Sequence, residues 1–191
     1  LWRTDGTLAN TNIVKDIIAG PTGSNDPGNY ELTSTGSYLL LDVKTTAEGN
    51  ELWRSDGTGA NTVLLKDIVT GPVSSGPRSF FPFSNYMLFS TTGSDGLSGE
   101  VWRTDGTAGG TVLLKNNIVN VSFFGSFSAL FHVFNNRAYF IINDGVNESA
   151  IWSTDGIDAT AAHTSFLKDE GVTGPTASYN SAFLLDAFNL P

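Results

Sequence analysis

The chain of 191 residues contains no cysteine and one methionine, and its 10 Lys and Arg stand against 19 Asp and Glu. The absence of cysteine excludes disulfide scaffolds, thiolate metal centres and thiol catalysis, so the fold must be held by burial alone. The shortage of cations, with a formal charge of −9, argues against nucleic acid and against anionic lipid, since both need a basic face. Long apolar runs are also missing. Stretches such as Ala138 to Ile142 are about five residues, against the roughly 20 needed to span a bilayer, and no membrane insertion is expected. The chain opens on Leu1 with no charged and apolar leader pattern, which reads as a processed product or an excerpt of something longer.

What is abundant is more informative. Apolar residues make up 40% of the chain, enough for a core and too many for a disordered segment. The 21 glycines, above the usual share of about 7%, call for many tight turns and direct attention to repeats. Leu1-Trp2-Arg3-Thr4-Asp5-Gly6-Thr7 recurs as Leu52-Trp53-Arg54-Ser55-Asp56-Gly57-Thr58, Val101-Trp102-Arg103-Thr104-Asp105-Gly106-Thr107 and Ile151-Trp152-Ser153-Thr154-Asp155-Gly156-Ile157. The four tryptophans stand 51, 49 and 50 residues apart. Each heptad is followed by a second echo, as in Val63-Leu64-Leu65-Lys66-Asp67-Ile68, then in most units by Gly-Pro, and then by a pair of apolar stretches. These pairs are Tyr30 to Leu32 with Tyr38 to Leu41, Phe80 to Phe83 with Tyr86 to Phe89, Leu130 to Phe134 with Tyr139 to Ile142, and Tyr179 with Ala182 to Leu185.

Every echo reads as a strand: short, β-branched or aromatic, bounded by Gly, Asn, Asp, Ser or Pro, without helical periodicity. Asp-Gly between the Trp strand and the Lys-Asp strand is a hairpin signal. A unit is therefore four antiparallel strands, in the order apolar pair, Trp strand, Lys-Asp strand. Leu52 and Trp53 are adjacent, point to opposite faces, and are both apolar, so the sheet must be covered on both sides. Radial stacking of four-stranded sheets meets that demand. The expected fold is all-β, a β-propeller of four blades of about 50 residues, as a four-bladed ring or a segment of a larger one. A solenoid would have shorter coils and a sandwich would not repeat the heptad. The whole of 1–191 is one repeat domain with units 1–51, 52–100, 101–150 and 151–191, the last incomplete. Two strands at the start and two at the end would together complete a shared blade and close the ring.

The stretches Glu51 to Thr58 and Glu100 to Thr107, each leading into Thr-Val-Leu-Leu-Lys, resemble the ELWxxDGT repeat family of large secreted or surface-attached bacterial proteins, some described as hyalin-like. The resemblance covers nearly the whole chain and implies propeller-type repeats and an extracellular or cell-surface setting. It implies little about activity. The fourth unit departs from the pattern at Ala150, Ser153 and Ile157, so any role of Glu or Arg need not be filled there.

Candidate functional residues divide by whether they repeat. Trp2, Trp53, Trp102 and Trp152 are either packing between blades, the favoured role, or a ring of sugar-stacking platforms. Arg3, Arg54 and Arg103 are expected to pair with Asp5, Asp56 and Asp105, or with Glu51 and Glu100. Asp5, Asp56, Asp105 and Asp155 precede Gly6, Gly57, Gly106 and Gly156, where Asp suits a turn by capping local amides. The calcium candidate is the run Asn143 to Glu148, with Asp144, Asn147 and Glu148 as oxygen donors, although it lacks the length of an EF-hand; no other cofactor is suggested. His132 and His163 occupy different repeat positions, and His132 reads as a core or rim residue. No nucleophile, phosphate-loop or dinucleotide motif is present. Asn120 and Asn147 fall in glycosylation sequons, a pattern frequent by chance. The segments that vary between units, Gly23 to Asn29, Ser74 to Ser79 and Val121 to Ser128, with Phe80, Phe81, Phe123 and Phe124 at or near them, are the candidates for ligand contact. The expected function is binding or adhesion without catalysis, toward a surface glycan or protein partner. The alternatives are a spacer or self-associating filament subunit and a polysaccharide-active enzyme.

Overall fold

A computed structural model of the chain describes residues 1–20, 31–119, 131–146 and 150–169. Among these there is no helix and there are fourteen strands. A short pair comes first, β1 (Trp2–Arg3) and β2 (Asn12–Ile13). Three four-stranded sheets follow: β3 (Leu32–Ser34), β4 (Leu39–Thr45), β5 (Gly49–Ser55) and β6 (Val63–Lys66); β7 (Arg78–Phe83), β8 (Tyr86–Thr92), β9 (Gly99–Thr104) and β10 (Val112–Ile118); and β11 (Phe131–Phe134), β12 (Arg137–Ile142), β13 (Ala150–Thr154) and β14 (Thr164–Asp169). In every sheet the spatial order is the chain order and each neighbour is antiparallel. The strand order expected within a unit is the one found. The sheets themselves begin on the apolar pair, so each is offset by about half a period from a unit counted from its tryptophan.

Two-residue turns join the first two strands of the second and third four-stranded sheets, and four residues, Thr35 to Tyr38, join those of the first. Asn135 and Asn136 both take positive φ, 46° and 60°, the geometry that matches the twist of a hairpin and that Asn tolerates. The link from Trp strand to Lys-Asp strand is longer than an Asp-Gly hairpin, because seven residues, Asp56 to Thr62, separate β5 from β6.

Alternation on the strands places apolar groups on both faces, and each core is shared by two consecutive sheets. Leu41, Val43 and Trp53 look back onto Leu1 and Ile17, which flank the β1–β2 pair. Leu40, Leu52 and Leu65 look forward onto Met87, Phe89 and Trp102 of the next sheet. Leu88, Val101, Leu114 and Ile118 look forward again onto Phe131, Ala138, Phe140 and Ile142. Leu40, Leu52, Phe89 and Val101 are completely buried, each a side chain whose burial is worth about 2 kcal/mol.

Phe80 and Phe81 belong to this packing and are not displayed on a loop. They lie on β7 and point to opposite faces: Phe80 meets Phe89 at 5.6 Å between centroids, and Phe81 meets Phe131 at 5.9 Å. Their adjacency on a two-faced strand sends one into each neighbouring core.

A second contact locks the sheets together at the end where the Asp-Gly turns lie. Arg54 donates from Nη1 to the Gly106 carbonyl of the next sheet at 2.6 Å, and the Tyr38 ring covers the same turn so closely that a Cβ on Gly106 would overlap it. The next interface repeats this. Arg103 donates to the Ile157 carbonyl at 3.1 Å and lies 4.2 Å from the centroid of Tyr86, and a Cβ on Gly156 would stand only 3.1–3.3 Å from Phe83 and Tyr86. Glycine is therefore needed twice over at 106, for a φ of +86° and for the approach of Tyr38. Gly57 has a φ of +88° but nothing within 4 Å of where a Cβ would sit. Gly106→Ala is expected to cost more than Gly57→Ala, which should lose only the left-handed preference of about 1–2 kcal/mol. Gly109→Ala, with open space and no positive φ, is expected to be neutral or slightly stabilising. Urea midpoints of the three variants test that order.

Candidate functional site

The most elaborate polar constellation is the turn after each Trp strand, and it is a closed structural device. In the second unit the Asp56 carboxylate accepts from the Thr58 amide at 2.9 Å, the Thr58 hydroxyl at 2.7 Å and the Asn61 side-chain amide at 2.6 Å. The Thr62 hydroxyl donates to the Thr58 carbonyl at 2.7 Å, and Ser55 and Thr62 share a buried hydroxyl contact of 2.7 Å across the strand ends. The first unit copies every bond with Asp5, Thr7, Asn10, Thr4 and Thr11. The hydroxyls of Thr7 and Thr58, then the amides of Asn10 and Asn61, hold Asp5 and Asp56 below the ordinary carboxylate range. With both oxygens engaged by N–H and O–H donors, these aspartates act as caps, which agrees with the turn role.

The third and fourth units vary the device. Gly110 stands where Asn10 and Asn61 stand, and the Asp105 carboxylate moves into the space an Asn Cβ would fill. In the fourth unit the hydroxyl pair is Thr154 and Thr164, ten residues apart in place of seven. His163 takes over the Asn position, its Nδ1 2.7 Å from Asp155 Oδ2, and that bond raises the His163 pKa above its usual value. The substitutions at Arg and Tyr are coupled too. Arg137 occupies the position of Tyr38 and Tyr86 and donates to the Ser153 hydroxyl at 3.0 Å and the His163 carbonyl at 3.2 Å. Ser153 fills the place of Arg54 and Arg103.

The expected ion pairs between these arginines and the carboxylates are not what forms: Arg54 and Arg103 bond backbone carbonyls of the following sheet, and Arg103 also bonds its own Gly110 carbonyl at 3.1 Å. Glu51 and Glu100 have separate tasks. Glu51 is fully buried and accepts from the amides of Ile68, Val69 and Ser75 and the Ser75 hydroxyl, at 2.7–3.3 Å, so it fastens the connection between β6 and β7. Burial raises its pKa to about 7. Glu100 accepts the Trp102 indole N–H at 2.9 Å. In the unit with Ala150, that task passes to Asp144, which accepts from Trp152 at 3.3 Å and from the Val146 amide at 3.0 Å. Asp144, the calcium candidate, is thus engaged with donors of the protein itself; Asn147 and Glu148 lie outside the described residues, as do Phe123, Phe124 and Asn120.

The tryptophans diverge in exposure. Trp53 is 9% exposed and Trp2 65%, while Trp102 and Trp152 are half-buried, with Lys66 5.8 Å and Lys115 4.8 Å from their ring centroids. Beside Trp152 lies an open groove of about 510 Å³ between β10 and the β13–β14 edge, lined among others by Lys115, Asn116, Ala159, Ala161 and Phe166. Ala159 and Ala161 lie in the lengthened fourth turn, and Phe166 meets Trp152 edge-on at 6.1 Å. Burial lowers the pKa of Lys115. His132 sits exposed on β11, opposite Tyr139. The sequence signal for the groove was the lengthened, alanine-rich turn of the divergent unit.

Comparison of the chain with protein-family models, curated proteins and solved structures finds no match in any of the three.

Stability is expected to fall on both sides of mildly acid pH. Glu51 has a folded pKa above its unfolded 4.5, so its contribution is complete below 4.5 and is lost as pH rises through about 7. That loss should be about 2–3 kcal/mol between pH 5 and 8. The turn aspartates have lowered values, and their contribution is lost as pH falls below the unfolded carboxylate range. Denaturant melts of the parent and of Glu51→Gln check this: the variant should flatten the slope between pH 5 and 8 and leave the acid limb in place.

Proposed function

We propose that the chain is a propeller-type repeat module of the ELWxxDGT kind, at the cell surface or outside the cell, and that it binds a carbohydrate without turning it over. The single observation that carries this reading is the division of labour among its polar groups. What repeats serves the scaffold: the aspartates cap their turns, Arg54 and Arg103 bond carbonyls of the following sheet, and Trp53 and Trp102 pack between sheets. What departs from the repeat, in the fourth unit, opens the groove beside Trp152. An aromatic wall of Trp152 and Phe166 with Asn116, Ser165 and Lys115 around it matches a pyranose, whose C–H face packs on rings while its rim presents hydroxyls. Lys115 favours a sugar bearing a carboxylate.

A spacer role without ligand is favoured by the same self-satisfaction of the repeated groups, and it is the reading left if the groove is silent. The test is a glycan array with the full chain and with Phe166→Ala. Phe166 is 44% exposed on an edge strand, so its loss should spare the fold. Binding of uronate-containing glycans that weakens about tenfold in the variant, on the order of 1.4 kcal/mol, supports the proposal. Absence of binding, or binding indifferent to Phe166, overturns it.

A further inference from the structure

The turn that supplies the lip of the groove differs from the other three in its charges. Ahead of the closing Thr stand Asn10, Asn61 and Gly110 in the first three turns, and the titratable His163 in the fourth. The runs Asp5 to Thr11, Asp56 to Thr62 and Asp105 to Thr111 hold no carboxylate besides the Asp of Asp-Gly, whereas Asp155 to Thr164 adds Asp158. Asp158 accepts from the Thr160 amide at 2.8 Å and the Thr160 hydroxyl at 2.6 Å, while His163 Nδ1 stands 2.7 Å from Asp155 Oδ2. The elements packed around this turn bring further charged and titratable groups. Arg137 of β12 donates to the His163 carbonyl at 3.2 Å, Arg103 of β9 donates to the Ile157 carbonyl at 3.1 Å, and Tyr86 of β8 lies beside Gly156. The bond to Asp155 raises the His163 pKa above its usual value; desolvation opposes this, the charges of Asp155 and Asp158 add to it, and the Arg137 guanidinium works against it.

Two carboxylates in one short turn repel each other unless a cation shares it. Protonated His163 is that cation. Neutral His163 can still donate a hydrogen bond to Asp155, but the charge that offsets the pair is gone. The residues between Asp158 and His163 include Ala159 and Ala161, which line the groove, and Thr164 and Ser165 of its wall follow directly. The amides of His163 and Thr164 both donate to the Thr160 carbonyl, at 2.9 and 2.7 Å, so a change at His163 reaches the lip through two bonds to one residue. We propose that protonated His163 draws the fourth turn closed and that its deprotonation loosens the lip at Ala159 to Ala161, so that the groove beside Trp152 holds its ligand more tightly on the acid side of neutrality. The coupling to a ligand rests on the carbohydrate reading; the response of the lip does not. Because the folded value of His163 lies above the unfolded one, its contribution is complete below the unfolded pKa and is lost as pH rises through the folded pKa.

The test is NMR of the full chain across neutral pH, for the parent and for His163→Asn, which places in the fourth turn the residue that the first two carry. With two histidines in the chain, the ring titration of His163 is followed beside that of His132. Amide exchange of Ile157, Thr160 and Thr164, corrected for the intrinsic effect of pH, should quicken about threefold as pH rises, with the midpoint of the His163 ring, and should lose that dependence in His163→Asn. Exchange that is flat in the parent, has a midpoint away from that of His163, or keeps its slope in His163→Asn overturns the proposal. If His163→Asn fails to fold, the comparison of midpoints in the parent decides. Glu51 titrates near the same range, but it is reported by the amides of Ile68, Val69 and Ser75 that bond it, which should respond alike in both chains. Affinity for uronate-containing glycans is then measured on either side of the His163 midpoint. A fall with rising pH that is about threefold larger in the parent than in His163→Asn supports the coupling, and equal falls overturn it. Absence of glycan binding at every pH would remove the carbohydrate reading and leave the lip to be decided by exchange.

Discussion

A strand that carries leucine and tryptophan side by side has no dry side and no wet side. Leu52 and Trp53, and their counterparts Val101 with Trp102, oblige each sheet to be covered on both faces, and everything else follows from how the cover is supplied. A helix would cover one face at the expense of long connections. Another copy of the same sheet covers it with short ones, at the cost of passing the same requirement to the next copy. The three apolar clusters, each drawn from two consecutive sheets, are that requirement handed along the chain.

Hydrophobic contact alone is tolerant of sliding, and the polar contacts remove that freedom. A guanidinium on a turn carbonyl, with a tyrosine ring laid on the glycine of the turn, fixes one end of each interface between four-stranded sheets to within a hydrogen-bond length. Glu51 fixes the other end of its sheet by gathering three amides of the outgoing connection around one buried carboxylate. The carboxylate carries a cost, visible in its raised pKa, that an unpaired charge could not bear and that a full set of donors reduces.

Much of this was legible in the sequence. The fifty-residue period, the strand order, the burial of both faces and the capping role of the aspartates follow from spacing and side-chain chemistry. What escaped was whatever depends on the neighbour across an interface. Arg54 was matched to nearby carboxylates because the chain shows distance along itself, while its partner Gly106 is 52 residues away. Phe80 and Phe81 looked available because they adjoin a variable segment, yet their places on β7 commit them to opposite cores. The closing Thr of each turn, Thr11, Thr62, Thr111 and Thr164, was in plain view as a hydroxyl paired with the Thr or Ser before Asp-Gly. Its spacing, seven residues in the first three units and ten in the fourth, is set by a loop and so falls outside helix and strand periodicities.

Among the described residues, the cationic contacts between successive sheets point the same way. Lys15 reaches the Thr62 carbonyl, Arg54 the Gly106 carbonyl, Arg103 the Ile157 carbonyl, and Lys66 and Lys115 the rings of Trp102 and Trp152. Each sheet therefore has a grasping side and a grasped side, and the two are not interchangeable. Faces of this kind cannot meet their own copies about a two-fold axis. They join only head to tail, the heterologous geometry that ends either in a closed cycle or in an open helical array. The direction of a few cationic side chains thus sets the symmetry available to any assembly built through these faces.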